Sequence, residues 1–233
     1  RSMCIDLLQD RRYPLAQRIL LMGLALKELA DGEENIERWL ARVRVLADDP
    51  ETDLRLQLPD QPNTLSMFLT NNIRVLLASR NPGSDFSTVL KDVLDGLKAV
   101  LTFENGQAVN FTLHDKPYLE ARARFEENFR DRGYFMENLM VTLFFNLQIP
   151  HLTDREALWK SYVDFCNLYS FFRFMAVASC REGAAGDKDE LFRMMVCASR
   201  ELMHNTPRKS MLRDELFQND SATLAHMAIL LSG

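Results

Sequence analysis

Glycine is scarce in this chain, at 9 of 233 residues, and cysteine is scarcer, at 4. Neither GxGxxG nor GxxxxGKS/T occurs in the sequence. The turn that would bring backbone N–H groups against a phosphate or ribose is therefore missing. Without an alternation of strands and helices, the doubly wound sheet that presents such a turn is missing too. A strong basic excess is also absent: 28 Lys and Arg stand against 33 Asp and Glu, for a net charge of -5. That balance gives no electrostatic case for a nucleic-acid partner, whose phosphates demand a concentrated basic surface. Long apolar runs are lacking as well. The best, Leu139 to Phe145, stops at Asn146 and is soon closed by Pro150, far short of the roughly 18 residues of a membrane span.

The cysteines, Cys4, Cys166, Cys180 and Cys197, sit far apart on apolar helical segments and form no Cys-x-x-Cys pair. Cys166 and Cys180 lie about 20 Å apart along one helix at about 1.5 Å per residue, too far to share a metal ion. Cys180 and Cys197 could meet across an antiparallel helix pair, but all four read first as reduced, buried thiols of a cytoplasmic protein. His114, His151, His204 and His226 match no HExxH-type spacing. No metal site is expected.

Helical periodicity dominates what is present. Pro14 suits a first helical position and Gly32 the residue after a cap, with Leu15, Ile19, Met22, Leu26 and Leu29 between them at spacings of four and three. A more amphipathic helix runs from about Glu34 to Leu46, with Ile36, Trp39, Leu40 and Val43 on one face. Asp49 to Pro62 reads as a loop. Further helices are expected from Asn63 or Thr64 through Ser79, and from Ser84 or Asp85 through Leu101. Asn105 and Gly106 form a turn signal between apolar flanks, which leaves a short hairpin open as the lesser reading.

Pro117 to Arg132 is charged and helical. The run from Phe135 to Leu147 is apolar apart from Glu137 and the stripe Asn138, Thr142 and Asn146. Asp154 can cap a long helix to about Arg181, in which Arg173 is the one charge after Leu168. Asp187 caps a helix through His204, and two shorter helices follow Pro207 and Asp220. The reading is an all-α bundle of about ten helices, with little or no strand, forming a single helical domain over residues 1–233. The N-terminal residues RSMCIDLLQD lack a secretory signal and begin as if in mid-helix, so the chain reads as a C-terminal piece of a longer protein.

Catalytic residues are not legible. The candidates for binding a substrate or cofactor are His204, Asn205, Arg173 and Glu137. His204 and Asn205 close the segment SRELMHN, where a helix end with a dipole-favoured His and a left-handed Asn is the plainer account. Arg173 and Glu137 are lone charges on apolar helices. They pair with each other, or Arg173 faces an acidic substrate group or cofactor, or the account is a structural ion pair or snorkelling of Arg173 to the surface, which the residues favour. Tyr162 and Tyr169 read as core residues.

Five segments, DLLQDRRYPLAQRILLMGLAL, ENLMVTLFFNLQIP, LWKSYVDFCNLYSFFRFM, SRELMHN and the terminal HMAILL, resemble in order and spacing the helical C-terminal part of the flagellin lysine-N-methylase family. The resemblance implies an enzyme that transfers methyl groups from S-adenosylmethionine to flagellin lysines in the cytoplasm, with an iron–sulfur cluster held by an upstream cysteine motif. Only Cys4 stands near the start of this chain, so the resemblance also implies that this part binds no cofactor alone and is inactive alone. The alternative, from another class, is a non-enzymatic helical interaction module such as an export chaperone or adaptor.

Overall fold

The computed structural model describes residues 1–49, 51–52, 73, 85–104, 107–149, 154–203 and 206–232. The chain is all-α. Among the described residues ten α-helices run in chain order: α1 (Ser2–Gln9), α2 (Leu15–Ala30), α3 (Ile36–Asp48), α4 (Asp85–Gly96), α5 (Asp115–Asn128), α6 (Tyr134–Asn146), α7 (Arg155–Ala178), α8 (Lys188–Met203), α9 (Thr206–Gln218) and α10 (Leu224–Leu231). Between α4 and α5 lies an antiparallel hairpin, β1 (Val100–Glu104) and β2 (Gln107–Thr112). The chain divides into two compact units. One comprises Arg1–Asp60, Tyr134–Tyr169 and Asp220–Ser232, and the other Gln61–Gly133 and Ser170–Asn219. The long α7 gives its first part to one unit and its second part to the other.

In the first unit, α1 packs on α2 and on α6, and α10 packs on α2. The apolar stripe of α2 buries Ile19, Leu20, Leu21, Met22, Ala25, Leu26 and Leu29, and each of the large side chains contributes about 1.5–3 kcal/mol on leaving water. Gly23 interrupts that stripe because a side chain there has no room. A Cβ would lie 2.0 Å from the Tyr162 hydroxyl oxygen, and Tyr162, fully buried, donates its hydroxyl to the Ile19 carbonyl at 3.3 Å. Pro14 stands one residue before the helix, with ψ at 147°, where it was expected to be the first helical residue.

The far end of α2 closes as anticipated: Gly32 takes a φ of +117°, while Glu33 and Gly32 donate to the carbonyls of Glu28 and Leu29. This is the paired 6→1 and 5→2 closure that a left-handed residue permits. Asn35 caps α3 by accepting from the Arg38 N–H at 2.9 Å. Two indoles add ties within the unit, Trp39 of α3 donating to the Ala25 carbonyl of α2 at 2.7 Å and Trp159 to that of Ala222, in the loop before α10, at 2.9 Å.

In the second unit, α4 buries Phe86, Val89, Leu90, Val93 and Leu94, an i, i+3, i+4, i+7, i+8 stripe, and α8 packs on both α4 and α9. The helix ends at Gly96 and not at Leu101, as the sequence suggested. Lys98 takes a left-handed φ of 53°, and Lys98 and Ala99 donate to the carbonyls of Asp95 and Leu94. The chain is thereby turned into β1, so the lesser reading of the region, a hairpin, is the one the structure adopts. Its register pairs Val100 with Thr112 and Leu101 with Phe111, and shifts between Thr102 and Phe103. The helix expected from residues 63 or 64 to 79, and the Asn105–Gly106 turn itself, lie outside the described residues.

Candidate functional site

Charge buried in an apolar body marks where a site must be sought, because an unpaired buried charge is costly. In the first unit that place is Glu137, 5% exposed, on α6. Its carboxylate accepts from Arg18 at 2.7 Å and from Arg11 at 2.9 Å and 3.2 Å. Arg18 is itself 8% exposed, and it also donates to the carbonyls of Tyr13 and Leu8, each at 2.7 Å. One guanidinium thus joins the end of α1, the bend before α2 and the start of α6. The bonds from Arg11, together with those from Arg18, hold the Glu137 carboxyl below the ordinary range against the opposing effect of burial. Arg173, in the second unit, meets Glu126 at 3.4 Å and lies over the Phe125 ring, so each of the two lone charges has a partner within its own unit. Glu137 faces the α1–α2 bend, whose two arginines the sequence reading left unassigned.

Arg18 carried a readable signal, since it falls four residues before Met22 and seven before Ala25 on the buried stripe of α2. A second such arginine is Arg181, 9% exposed, which donates to the Asp92 and Ala178 carbonyls and to Glu190. Gly96 makes room for its stem, for a Cβ there would lie 2.6 Å from the Arg181 Cδ. His204 and Asn205 lie outside the described residues.

Among the described residues no group of three His, Cys, Asp or Glu converges as a metal site. Burial pushes the thiol of Cys4 up to about 11 and that of Cys166 up to about 12, which opposes the thiolate that iron requires. Cys180 is buried beside Asn128 and Ser179. Cys197 is only half-buried, where a buried thiol was expected. These residues do not fit an iron–sulfur cluster.

An open cleft of about 410 Å³ lies in the first unit between α1 and α3. Met3, Leu7, Leu40, Val43 and Ala47 make its apolar floor, and Asp6, Asp10, Arg12, Arg44 and Asp48 its charged rim. Arg12 closes one end by bonding Asp10 at 2.5–3.0 Å and Asp48 at 3.0 Å, which holds the Asp10 carboxyl below its usual range. No aromatic ring is among the lining residues. What it can do is receive an apolar surface carrying charge at its edges.

No described helix is long and apolar enough to cross a membrane. Compared with known proteins, the chain matches one family model, the FliB lysine N-methylase C-terminal domain, over residues 1–230. No curated protein and no solved structure matches it.

Proposed function

From the premise that this chain belongs to the FliB lysine N-methylase C-terminal domain family, we propose that it serves a flagellin lysine methylase as the part that docks the protein substrate or walls the active site. The match over residues 1–230 is the observation that carries this reading, and the apolar cleft with a charged rim supports it. S-adenosylmethionine supplies the methyl group, and it is held outside the described residues of this chain. The ε-amine that accepts the methyl group must be deprotonated and partly desolvated, a task suited to a wall of apolar helices.

Within this reading His204 and Asn205 orient the target segment. Glu137 and Arg173 hold the helices that frame it, since both are engaged by partners of their own unit. The test is methylation of purified flagellin followed by mass spectrometry. Full-length protein should methylate lysines, and this chain alone should bind flagellin without transferring methyl groups. His204→Ala and Asn205→Ala in the full-length protein should lower the methylation rate more than they lower thermal stability. Loss of stability alone would reduce SRELMHN to a helix end, and methylation by the isolated chain would move the active site into it.

A further inference from the structure

We infer that the cleft between α1 and α3 is the docking groove for an amphipathic helix of the protein substrate, with a lysine of that helix seated against Asp6. The inference rests on the methylase reading and assigns its substrate contact to particular residues. Met3 and Leu7, four apart on α1, face Leu40, Val43 and Ala47, spaced three and four apart on α3. Two such ridges enclose a furrow that accepts the i, i+3, i+4 apolar stripe of a third helix. The volume of about 410 Å³ holds several aliphatic side chains.

The rim selects the occupant. Asp10 and Asp48 share the single positive charge of Arg12, which leaves that end of the rim with one net negative charge, whereas Asp6 and Arg44 are exposed and have no ion pair or hydrogen-bonded side chain among the described residues. Asp6 therefore offers acid on the α1 side and Arg44 base on the α3 side, and the rim as a whole favours a cation. The complementary helix carries a lysine along one edge of its apolar stripe and a carboxylate along the other. The lysine stem lies over Met3 and Leu7 while its ammonium reaches Asp6, the usual division of an amphipathic side chain between apolar and polar surroundings. Such rim charges set orientation and encounter rate more than total affinity.

The experiment uses the full-length protein, purified flagellin and overlapping synthetic peptides covering flagellin, with binding read by fluorescence anisotropy and methylation by steady-state kinetics. Asp6→Lys and Arg44→Glu should each weaken binding about five- to tenfold at low salt, the size expected when an exposed pair becomes a repulsion. Both should raise KM with little change in kcat, and leave thermal unfolding unmoved because neither side chain is engaged. Leu40→Glu, which places a charge on the floor, should weaken binding by at least about tenfold. A peptide in which the seated lysine is replaced by glutamate should bind the Asp6→Lys protein better than the original peptide does. Wild-type binding and KM in Asp6→Lys, Arg44→Glu and Leu40→Glu alike would overturn the assignment, as would mapping of the bound segment to a peptide without lysine. If wild-type protein methylates flagellin while all three variants behave as wild type, the groove is refuted and the methylase reading stands. If wild-type protein methylates no flagellin lysine, it is the methylase reading that falls.

Discussion

Replacing Glu137 by glutamine removes the single carboxylate that neutralises Arg18. The guanidinium of Arg18 stays buried, at 8% exposure, held by the carbonyls of Tyr13 and Leu8. An amide oxygen can still accept one bond from it but cannot balance its charge. Breaking a buried pair by removing one partner costs about 3–5 kcal/mol, a drop in midpoint of roughly 6–20 °C for a chain of this size. Urea or thermal unfolding followed by far-UV circular dichroism reads the change. Arg11→Ala should do much less, because that side chain is largely exposed.

The double variant Arg18→Met with Glu137→Met should recover most of the loss, since burying neither charge is often as stable as burying both. The pH dependence has a fixed sign. Because the folded-state pKa of Glu137 is depressed, its contribution is complete above the ordinary carboxylate range and is lost as pH falls through the depressed value. Wild-type protein should thus lose stability on acidification below about pH 4, and the Glu137→Gln variant should show a shallower acid slope. A variant that unfolds within about 1 kcal/mol of wild type, with an unchanged acid limb, would show that the pair is not the anchor described here.

Gly23→Ala gains about 1 kcal/mol of helix propensity but drives a methyl group into Tyr162, for a net loss of about 1–3 kcal/mol in chemical denaturation; pairing it with Tyr162→Leu should cost less than the sum of the two single changes. Toward a disulfide-forming thiol reagent at neutral pH, Cys197 should react first, while Cys4 and Cys166, with thiols pushed up to about 11 and about 12 by burial, should react only on unfolding; rapid labelling of Cys166 in native protein would contradict its burial. Gln148→Gly should stabilise by about 0.5–1 kcal/mol, because residue 148 ends α6 at a φ of 54°, a conformation that costs a side-chain-bearing residue more than glycine. A destabilised Gln148→Gly protein would mean that the glutamine side chain holds the turn in some other way.

The apolar period was legible wherever it was long, and it placed α2, α6 and α7 within a few residues of where they lie. Helix ends were legible only where the terminating residue advertises itself. Gly32, Lys98 and Gln148 all close helices in the left-handed region, and all are followed by a donor to the carbonyl five residues back. Only the glycine announces such a stop in sequence. The continuation of α4 to Leu101 fails at Lys98 for that reason, and the hairpin follows once the helix is cut short. The charges were harder still. Glu137 stood out because it interrupts an apolar run, yet its partners lie more than a hundred residues away in sequence, and periodicity carries no information about which distant helix a face will meet. Arg18 was harder for a different reason: its place on the buried stripe of α2, four residues before Met22, was readable, but the local pattern names none of the acceptors that let its charge be buried. Its buried state depends on two backbone carbonyls freed by the bend between α1 and α2, and those acceptors exist only once the bend has formed. Local pattern therefore fixes which helices form, whereas the ion-paired anchor is created by their assembly, and a buried arginine becomes predictable only after the carbonyls that solvate it have been located.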